Sequence, residues 1–248
     1  MEAVEQYYEE VELPSGGVFY SNIPDKLHLR PMTGYEQDIL TTERLVKSGK
    51  ALDMVLSNCL KEKIDLNELL VVDHAYLLFK LREISYGEIY PVKIKCPDCG
   101  KENEVEINLA EALSNVKEPD ILSEPFEVEL PSKGKAVCVF PRVKHIREVE
   151  KLSKTKGVEA LPNFVERNTT ALLSQLITEL YLPYVKDELP KQEKIRRMFA
   201  KDIAYLRKFI NTKGAVFKPE FSFACEFCGH EGMMDIPIQA NFFFPDVE

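Results

Sequence analysis

The chain has 248 residues, of which 45% are hydrophobic and 29% are charged, and its formal net charge is −9. This length and composition predict a folded protein with one large or two small domains. The acidic balance disfavours a dedicated nucleic-acid-binding protein, and the lack of a long apolar run in the sequence predicts no membrane span.

The N-terminal part of the chain is expected to begin with a hairpin. Val11–Gly17 (VELPSGG) is typical of a strand that ends in a Pro/Gly turn, and the VFY stretch that follows is predicted to be the second strand. Further on, RPMTGYEQDIL predicts a helix with Thr33 as N-cap and Glu36 three positions later, which is the pattern of a capping box.

Two cysteines follow a predicted helix and strand. Asp73–Leu81 (DHAYLLFKL) has apolar residues at helical spacing, and it leads into alternating apolar residues on either side of a turn. In that turn Cys96 and Cys99 are followed by Gly100, a residue that readily adopts a positive φ. This strand–turn–strand pattern is typical of a zinc knuckle, and it supplies only part of the ligand set that a structural zinc requires.

The segment from 111 to 127 is predicted to join two halves of the chain, because Pro119 and Pro125 interrupt any long helix. After it, Val128–Gly134 (VELPSKG) resembles the first turn, and AVCVF is expected to form its second strand. Residues 167–181 (RNTTALLSQLITELY) are predicted to be a helix whose apolar stripe packs in the core. Beyond this, no pattern assigns a role to the region 144–190.

The second part of the metal site lies near the C-terminus, where Cys225 and Cys228 are also followed by a glycine. We expect Cys96, Cys99, Cys225 and Cys228 to bind one structural zinc ion per chain, with no open position for a substrate. Two such pairs, each followed by glycine, favour zinc over a redox motif. Because 125 residues separate Cys99 from Cys225, the metal would join two remote parts of the chain.

The similarity continues upstream of the cysteines. Asp73–Leu81 and Asp202–Ile210 (DIAYLRKFI) share Asp, Ala, Tyr and Leu at an offset of 129 residues. We therefore predict two related halves, residues 1–110 and 128–248, that form one compact unit; chance convergence of similar knuckles is the alternative. The predicted fold class is α+β, largely helical, with short antiparallel hairpins, a split four-cysteine zinc-ribbon-like site and an internal duplication of the two halves.

Outside the cysteine pairs, no motif for catalysis is found in the sequence, and the four histidines lie at no ligand spacing, so the protein is predicted not to be an enzyme. Cys59 and Cys138 lie in apolar runs and are interpreted as small buried hydrophobic residues. Three consecutive aromatic residues near the C-terminus are expected either to pack in the protein's own core or to contact a partner subunit: Phe242, Phe243 and Phe244.

Several segments together resemble one known family. In chain order they are ELPSGGVFY, IPDKLHLRPMTGYEQDIL, YLLFKLREISYGEIY, CPDCG, CEFCG and the terminal FFFP. From about Glu12 to Pro245, the chain is similar to the baseplate hub proteins and hub-assembly chaperones of contractile-tailed, T-even-like bacteriophages.

This resemblance implies a structural or assembly role in the phage tail baseplate, without enzymatic activity. It also implies contacts with other tail and baseplate proteins, and an oligomeric state set by baseplate symmetry if the protein is incorporated. The expected location is the host cytoplasm during assembly and, for a retained subunit, the baseplate of the virion tail; neither a membrane nor nucleic acid is an expected partner. The alternative function is a zinc-ribbon adaptor for nucleic acid or transcription, because zinc ribbons are frequent in such proteins.

Overall fold

The computed structural model describes residues 7–47, 50–153, 169–236 and 242–243. Its helices are α1 (Gly34–Thr41), α2 (Glu43–Lys47), α3 (Ala51–Cys59), α4 (Val71–Tyr86), α5 (Leu109–Ser114), α6 (Val143–Ser153), α7 (Thr169–Leu176), α8 (Lys191–Arg196) and α9 (Ala200–Lys213). Its strands are β1 (Glu9–Glu12), β2 (Lys26–Leu29), β3 (Ile89–Lys95), β4 (Glu102–Asn108), β5 (Val116–Lys117), β6 (Phe126–Glu129), β7 (Lys135–Cys138), β8 (Ile177–Tyr181), β9 (Val216–Phe217), β10 (Glu220–Ala224) and β11 (Glu231–Asp235).

The strands form five small antiparallel sheets: β1–β2, β3–β4, β5–β9, β10–β11 and the three-stranded β6–β7–β8. The prediction of a mixed fold with helices and short antiparallel strands is therefore confirmed. Within the described ranges, none of the helices has the length and apolar character needed to cross a membrane.

The first hairpin differs from its prediction. β1 pairs with β2 rather than with the VFY stretch, which lies in the turn region between them. The side chain of Tyr20 donates a hydrogen bond inward to Asp73, and its hydroxyl accepts one from the N–H of Leu70 at 2.8 Å. These contacts hold the stretch against the start of α4, so it cannot run alongside β1, and the strand prediction for VFY was wrong.

The capping box at α1 is confirmed. The Glu36 carboxylate accepts a hydrogen bond from the backbone N–H of Thr33 at 2.9 Å, and Arg30 holds its other oxygen at 2.9 Å. Burial alone would raise the pKa of Glu36, but the hydrogen bonds from Arg30 and Thr33 outweigh it and lower that pKa to about 2. The buried carboxylate therefore stays ionised and fixes the beginning of the helix.

The predicted helix over residues 167–181 is two elements. α7 ends at Leu176, and β8 begins at Ile177 and pairs with the edge of β7. The five aliphatic residues of the predicted apolar stripe are buried, as expected: Leu172, Leu173, Leu176, Ile177 and Leu180. The apolar composition of this segment suits a helix and a buried strand equally well. The open edge of β7 therefore decides where the helix ends and the strand begins.

The core has two clusters of buried side chains. The first is formed mainly by residues of β1–β4 and α1–α5, and it also includes Phe223, Cys225, Ile236, Phe242 and Phe243 from the C-terminal end of the chain. The second is formed mainly by residues of β6–β8 and α6–α9, and it includes Leu70 from the N-terminal part. The β10–β11 hairpin, which carries the second cysteine pair, therefore packs with the N-terminal helices rather than with α9, the last helix before it in sequence.

Two buried aspartates make similar contacts at equivalent places. Asp73 accepts hydrogen bonds from the N–H of Ser15 at 3.0 Å and from the hydroxyl of Tyr20. Asp202 accepts them from the N–H of Ser132 at 3.1 Å and from the hydroxyl of Tyr184 at 2.9 Å. Each serine belongs to a Leu-Pro-Ser turn, and each tyrosine hydroxyl also accepts a hydrogen bond from the residue that precedes the aspartate's helix: Leu70 before α4 and Phe199 before α9.

Replacing Asp73 by alanine is expected to lower the free energy of unfolding by about 3 kcal/mol, because buried donors of Ser15 and Tyr20 would lose their acceptor. The corresponding change at Asp202 should have a similar effect. Urea unfolding of both variants measures it, with Asp38→Ala on the exposed face of α1 as the control. A loss at Asp73 no larger than at Asp38 would show that this contact is not important for stability.

Candidate metal centre

The first cysteine pair lies in the turn of the β3–β4 hairpin. Tyr90, Val92 and Ile94 of β3 are buried on one face and fix the hairpin on the first core cluster. The turn closes with hydrogen bonds from Cys96 N to Lys101 O (2.8 Å) and from Gly100 N to Cys96 O (3.0 Å). Gly100 has a φ of 71°, as its position after the second cysteine predicts.

The second pair lies in an equivalent turn between β10 and β11. Cys225 N donates to His230 O at 2.8 Å, and Gly229 N donates to Cys225 O at 3.0 Å. Gly229 has a φ of 73°. The two turns therefore have the same backbone hydrogen bonds and the same glycine conformation, as expected of two knuckles.

The four sulfur atoms meet between the two hairpins. Cys96 Sγ lies 3.7 Å from Cys228 Sγ, Cys99 Sγ lies 3.7 Å from Cys225 Sγ, and all four lie within 4.8 Å of one another. Tetrahedral zinc–sulfur bonds of about 2.3 Å place neighbouring sulfurs about 3.8 Å apart, so this spacing fits such an ion. Cys96 and Cys225 are buried, whereas Cys99 and Cys228 are exposed. Four cysteines that could bind a metal ion are thus brought together from two remote parts of the chain.

The thiols of Cys225 and Cys228 have pKa values shifted in opposite directions. Desolvation opposes ionisation of Cys225, but hydrogen bonds from the N–H groups of Cys228 and Phe227 lower its pKa to about 6. The N–H of His230 favours ionisation of Cys228, but desolvation and the neighbouring sulfurs outweigh it and raise the pKa of Cys228 to about 12. Cys225 and Cys228 therefore do not both ionise at neutral pH without a cation beside them.

Direct contacts also join the two turns. The side-chain oxygen of Asn103, on the buried face of β4, accepts a hydrogen bond from Glu226 N at 3.0 Å, and its side-chain nitrogen donates to Lys101 O at 3.1 Å. The ammonium of Lys101 lies 4.7 Å from the ring centre of Phe227. Sequence reasoning missed Asn103. The available signal was a polar residue on the face of β4 that also carries the apolar residues Val105 and Ile107.

The sulfur cluster is the only group of possible metal ligands found among the described residues. With four sulfurs it forms a complete tetrahedral set, and such a set leaves no position for a substrate or a reactive water. Cys59 and Cys138 lie apart from it and are fully buried, and desolvation raises the pKa of each to about 12. Their interpretation as small buried hydrophobic residues is confirmed.

The aromatic residues near the C-terminus pack beside the β3–β4 hairpin. Phe242 is completely buried, and its ring centre lies 5.0 Å from that of Phe79 and 5.1 Å from that of Tyr90. Phe243 is also buried and contacts Phe242. Of the two interpretations of this segment, packing in the protein's own core describes these two side chains. Phe244 lies outside the described residues, and its contact with a partner stays a prediction.

The chain matches a known protein family. A family model described as "T4 bacteriophage base plate protein" matches residues 6–244, which is nearly the whole chain. Neither the curated proteins nor the solved structures that were compared contain a match.

Proposed function

The chain belongs to the T4 bacteriophage base plate protein family, and from this premise we propose that it is a non-enzymatic structural or assembly protein of the baseplate hub region. It acts through contacts with other tail and baseplate proteins. The observation that carries this proposal is the match to the family over residues 6–244, which includes both hairpins of the metal centre.

The metal in this proposal is one structural zinc ion per chain, bound by Cys96, Cys99, Cys225 and Cys228. The four-sulfur ligand set and the sulfur spacing of 3.7 Å support zinc. Zinc fits a rigid protein assembled in a reducing cytoplasm, where disulfide bonds do not persist. Its function is to hold the two hairpins together.

We also propose that residues 1–110 and 128–248 arose by duplication and are joined by the segment 111–127. The matching turns of the two knuckles support this, as do the similar contacts of Asp73 and Asp202. The two tyrosines that complete these contacts do not lie at equivalent places in the sequence. Tyr20 follows its Leu-Pro-Ser turn closely, whereas Tyr184 comes after α7 and β8.

The test uses a phage in which synthesis of this protein is blocked by a nonsense mutation. In a non-suppressing host we expect normal heads but no complete baseplates, as seen by electron microscopy, and we expect a plasmid copy of the protein to restore tails. Complete, functional baseplates formed without the protein would contradict the proposal.

Quantitative mass spectrometry of purified virions then separates the two forms of the proposed role. A fixed copy number per virion would identify a subunit of the baseplate, and the copy number would give the symmetry that the protein obeys. Absence from virions, combined with the assembly defect, would identify an assembly chaperone that acts in the host cytoplasm.

The zinc-ribbon adaptor is supported by one feature, the exposed ring of Phe227 on the second knuckle, which could stack on a base. The two knuckle segments carry several acidic residues: Glu102, Glu104, Glu226 and Glu231. We therefore expect no salt-dependent gel shift with phage DNA. A shift that is lost in Phe227→Ala would favour the adaptor instead.

A further inference from the structure

An exposed ridge runs along the outer face of α9. Lys201, Ala204, Tyr205 and Lys208 are exposed at helical spacing, while Leu206 and Ile210 of the same helix are buried in the second core cluster. The aromatic residue of this ridge is Tyr205, and 42% of its surface is exposed.

A second aromatic residue lies at the beginning of this ridge and is held rigidly. Phe199 is 48% exposed, and its other face stacks on Tyr184 with ring centres 3.9 Å apart and an angle of 11° between the planes. Tyr184 is itself fixed by Asp202, as described above. A rigid aromatic side chain loses little conformational entropy on binding, which makes it an effective contact residue.

Three exposed cations lie on α9 or shortly before it in sequence. Among the described residues, no carboxylate lies within ion-pair distance of Arg196, Lys201 or Lys208, whereas nearby Lys194 and Arg197 pair with Asp187 and Glu193. The ridge thus combines exposed aromatic rings with uncompensated positive charge in a chain whose net charge is −9.

A groove elsewhere on the chain has the complementary character. It has a volume of about 560 Å³ and lies between the Leu-Pro-Ser-Gly turn after β1 and the segment 113–122. Two of its apolar side chains are unusually exposed, Val18 at 48% and Leu122 at 66%. Three acidic side chains line it. Glu12 pairs at 3.2 Å with Lys26, which also lines the groove, whereas the described part of the chain gives Asp25 and Glu118 no cation within ion-pair distance.

We propose that the ridge of one copy docks in this groove of a second copy. Tyr205 and Phe199 cover the apolar surface of Val18 and Leu122, and Lys201 and Lys208 face Asp25 and Glu118. The aromatic contacts supply the affinity, whereas the exposed charges mainly select the partner and speed its approach. Since ridge and groove are different surfaces, the contact is head-to-tail and leads to a ring or an open chain of copies. This inference does not depend on the proposed place of the protein in the hub.

The test is sedimentation velocity of the full chain over a range of concentrations. The wild type is expected to self-associate, and higher salt is expected to weaken the association. A ridge variant, Lys201→Glu with Lys208→Glu, and a groove variant, Asp25→Lys with Glu118→Lys, should each associate at least ~10-fold more weakly, because like charges then face each other. Tyr205→Ala should also weaken association.

Mixing the two variants provides the decisive measurement. The ridge variant and the groove variant should associate with each other, because the acidic ridge of one matches the basic groove of the other and their remaining two surfaces are unchanged. The control variant, Lys50→Glu with Lys63→Glu, changes the net charge by the same amount as the ridge variant but at other exposed positions. It should associate like the wild type. Circular dichroism of all variants verifies that they are folded.

Three results would overturn the inference. They are a wild type that stays monomeric at its highest soluble concentration, a ridge or groove variant that associates as tightly as the wild type, and two variants that fail to associate when mixed. Binding of DNA by the ridge of a monomeric wild type would assign this surface to nucleic acid instead.

Discussion

Replacing Cys96 by serine, or removing the metal with a chelator, is expected to loosen the whole C-terminal part of the chain and not only one hairpin. Cys225 belongs to the first core cluster, and β10–β11 reaches that cluster beside the four sulfurs. Without the ion, no metal joins the sulfur pairs that lie 3.7 Å apart. The direct contacts that the described residues then make between the two knuckles are those of Asn103 with Glu226 and of Lys101 with Phe227. Loss of a structural metal belongs to the class of changes that cost more than about 4 kcal/mol.

Limited proteolysis and metal analysis of the same samples measure this effect. The wild type should contain one zinc ion per chain and resist cleavage, whereas Cys96→Ser should contain none and be cut between the knuckles. Cys59→Ala is the matched control, because it also alters a buried cysteine but lies outside the sulfur cluster and should retain zinc. Since Cys96→Ser could fail to accumulate, Cys99→Ser at the exposed position and chelation of the wild type provide the same comparison. A metal-free wild type, or a zinc-free variant as resistant as the wild type, would refute the structural role.

The cysteine cluster could be predicted from the sequence because the information is local. A Cys-x-x-Cys-Gly turn between alternating strands specifies its own backbone, and the hydrogen bonds of Cys96 and Cys225 are the same at both places. The pairing of two such turns followed from the need for a complete ligand set. The contacts that support the cluster were not predictable in this way, because Asn103 and Glu226 are remote in sequence and neither lies in a recognised pattern.

The same distinction explains the errors in the secondary structure. α4 and the strands β3 and β4 were predicted because their periodicity continues over many residues. VFY is too short to carry a period, and its place is decided by the distant partner Asp73 of Tyr20. Ile177 continues the apolar pattern of α7, but it lies beside the open edge of β7 and joins that sheet instead. Tertiary contacts decide the structure where local patterns allow two answers.

The core near the metal centre is expected to depend strongly on Phe242. Its ring is completely buried and contacts Phe79, Tyr90 and Phe243 at centre distances of 5.0, 5.1 and 4.9 Å. Tyr90 is a buried residue of β3, and β3 leads directly to Cys96, so the ring supports the hairpin that carries Cys96 and Cys99. Truncating Phe242 to alanine should lower the free energy of unfolding by about 4 kcal/mol, through lost burial and the cavity that remains.

Urea unfolding of Phe242→Ala measures this loss, with Tyr35→Ala as the control because Tyr35 is an aromatic residue on α1 that is 66% exposed. Phe242→Leu should recover part of the stability, since leucine refills some of the cavity. This pattern would show that the ring stabilises the isolated chain. If Phe242→Ala left stability unchanged but abolished incorporation into baseplates, the ring would instead serve a partner, and the two interpretations of the aromatic segment would be decided in favour of the second. Core packing predicts a loss of stability on urea unfolding of the isolated Phe242→Ala variant, and partner binding predicts none. Phe242 is therefore the residue at which the two interpretations can be distinguished.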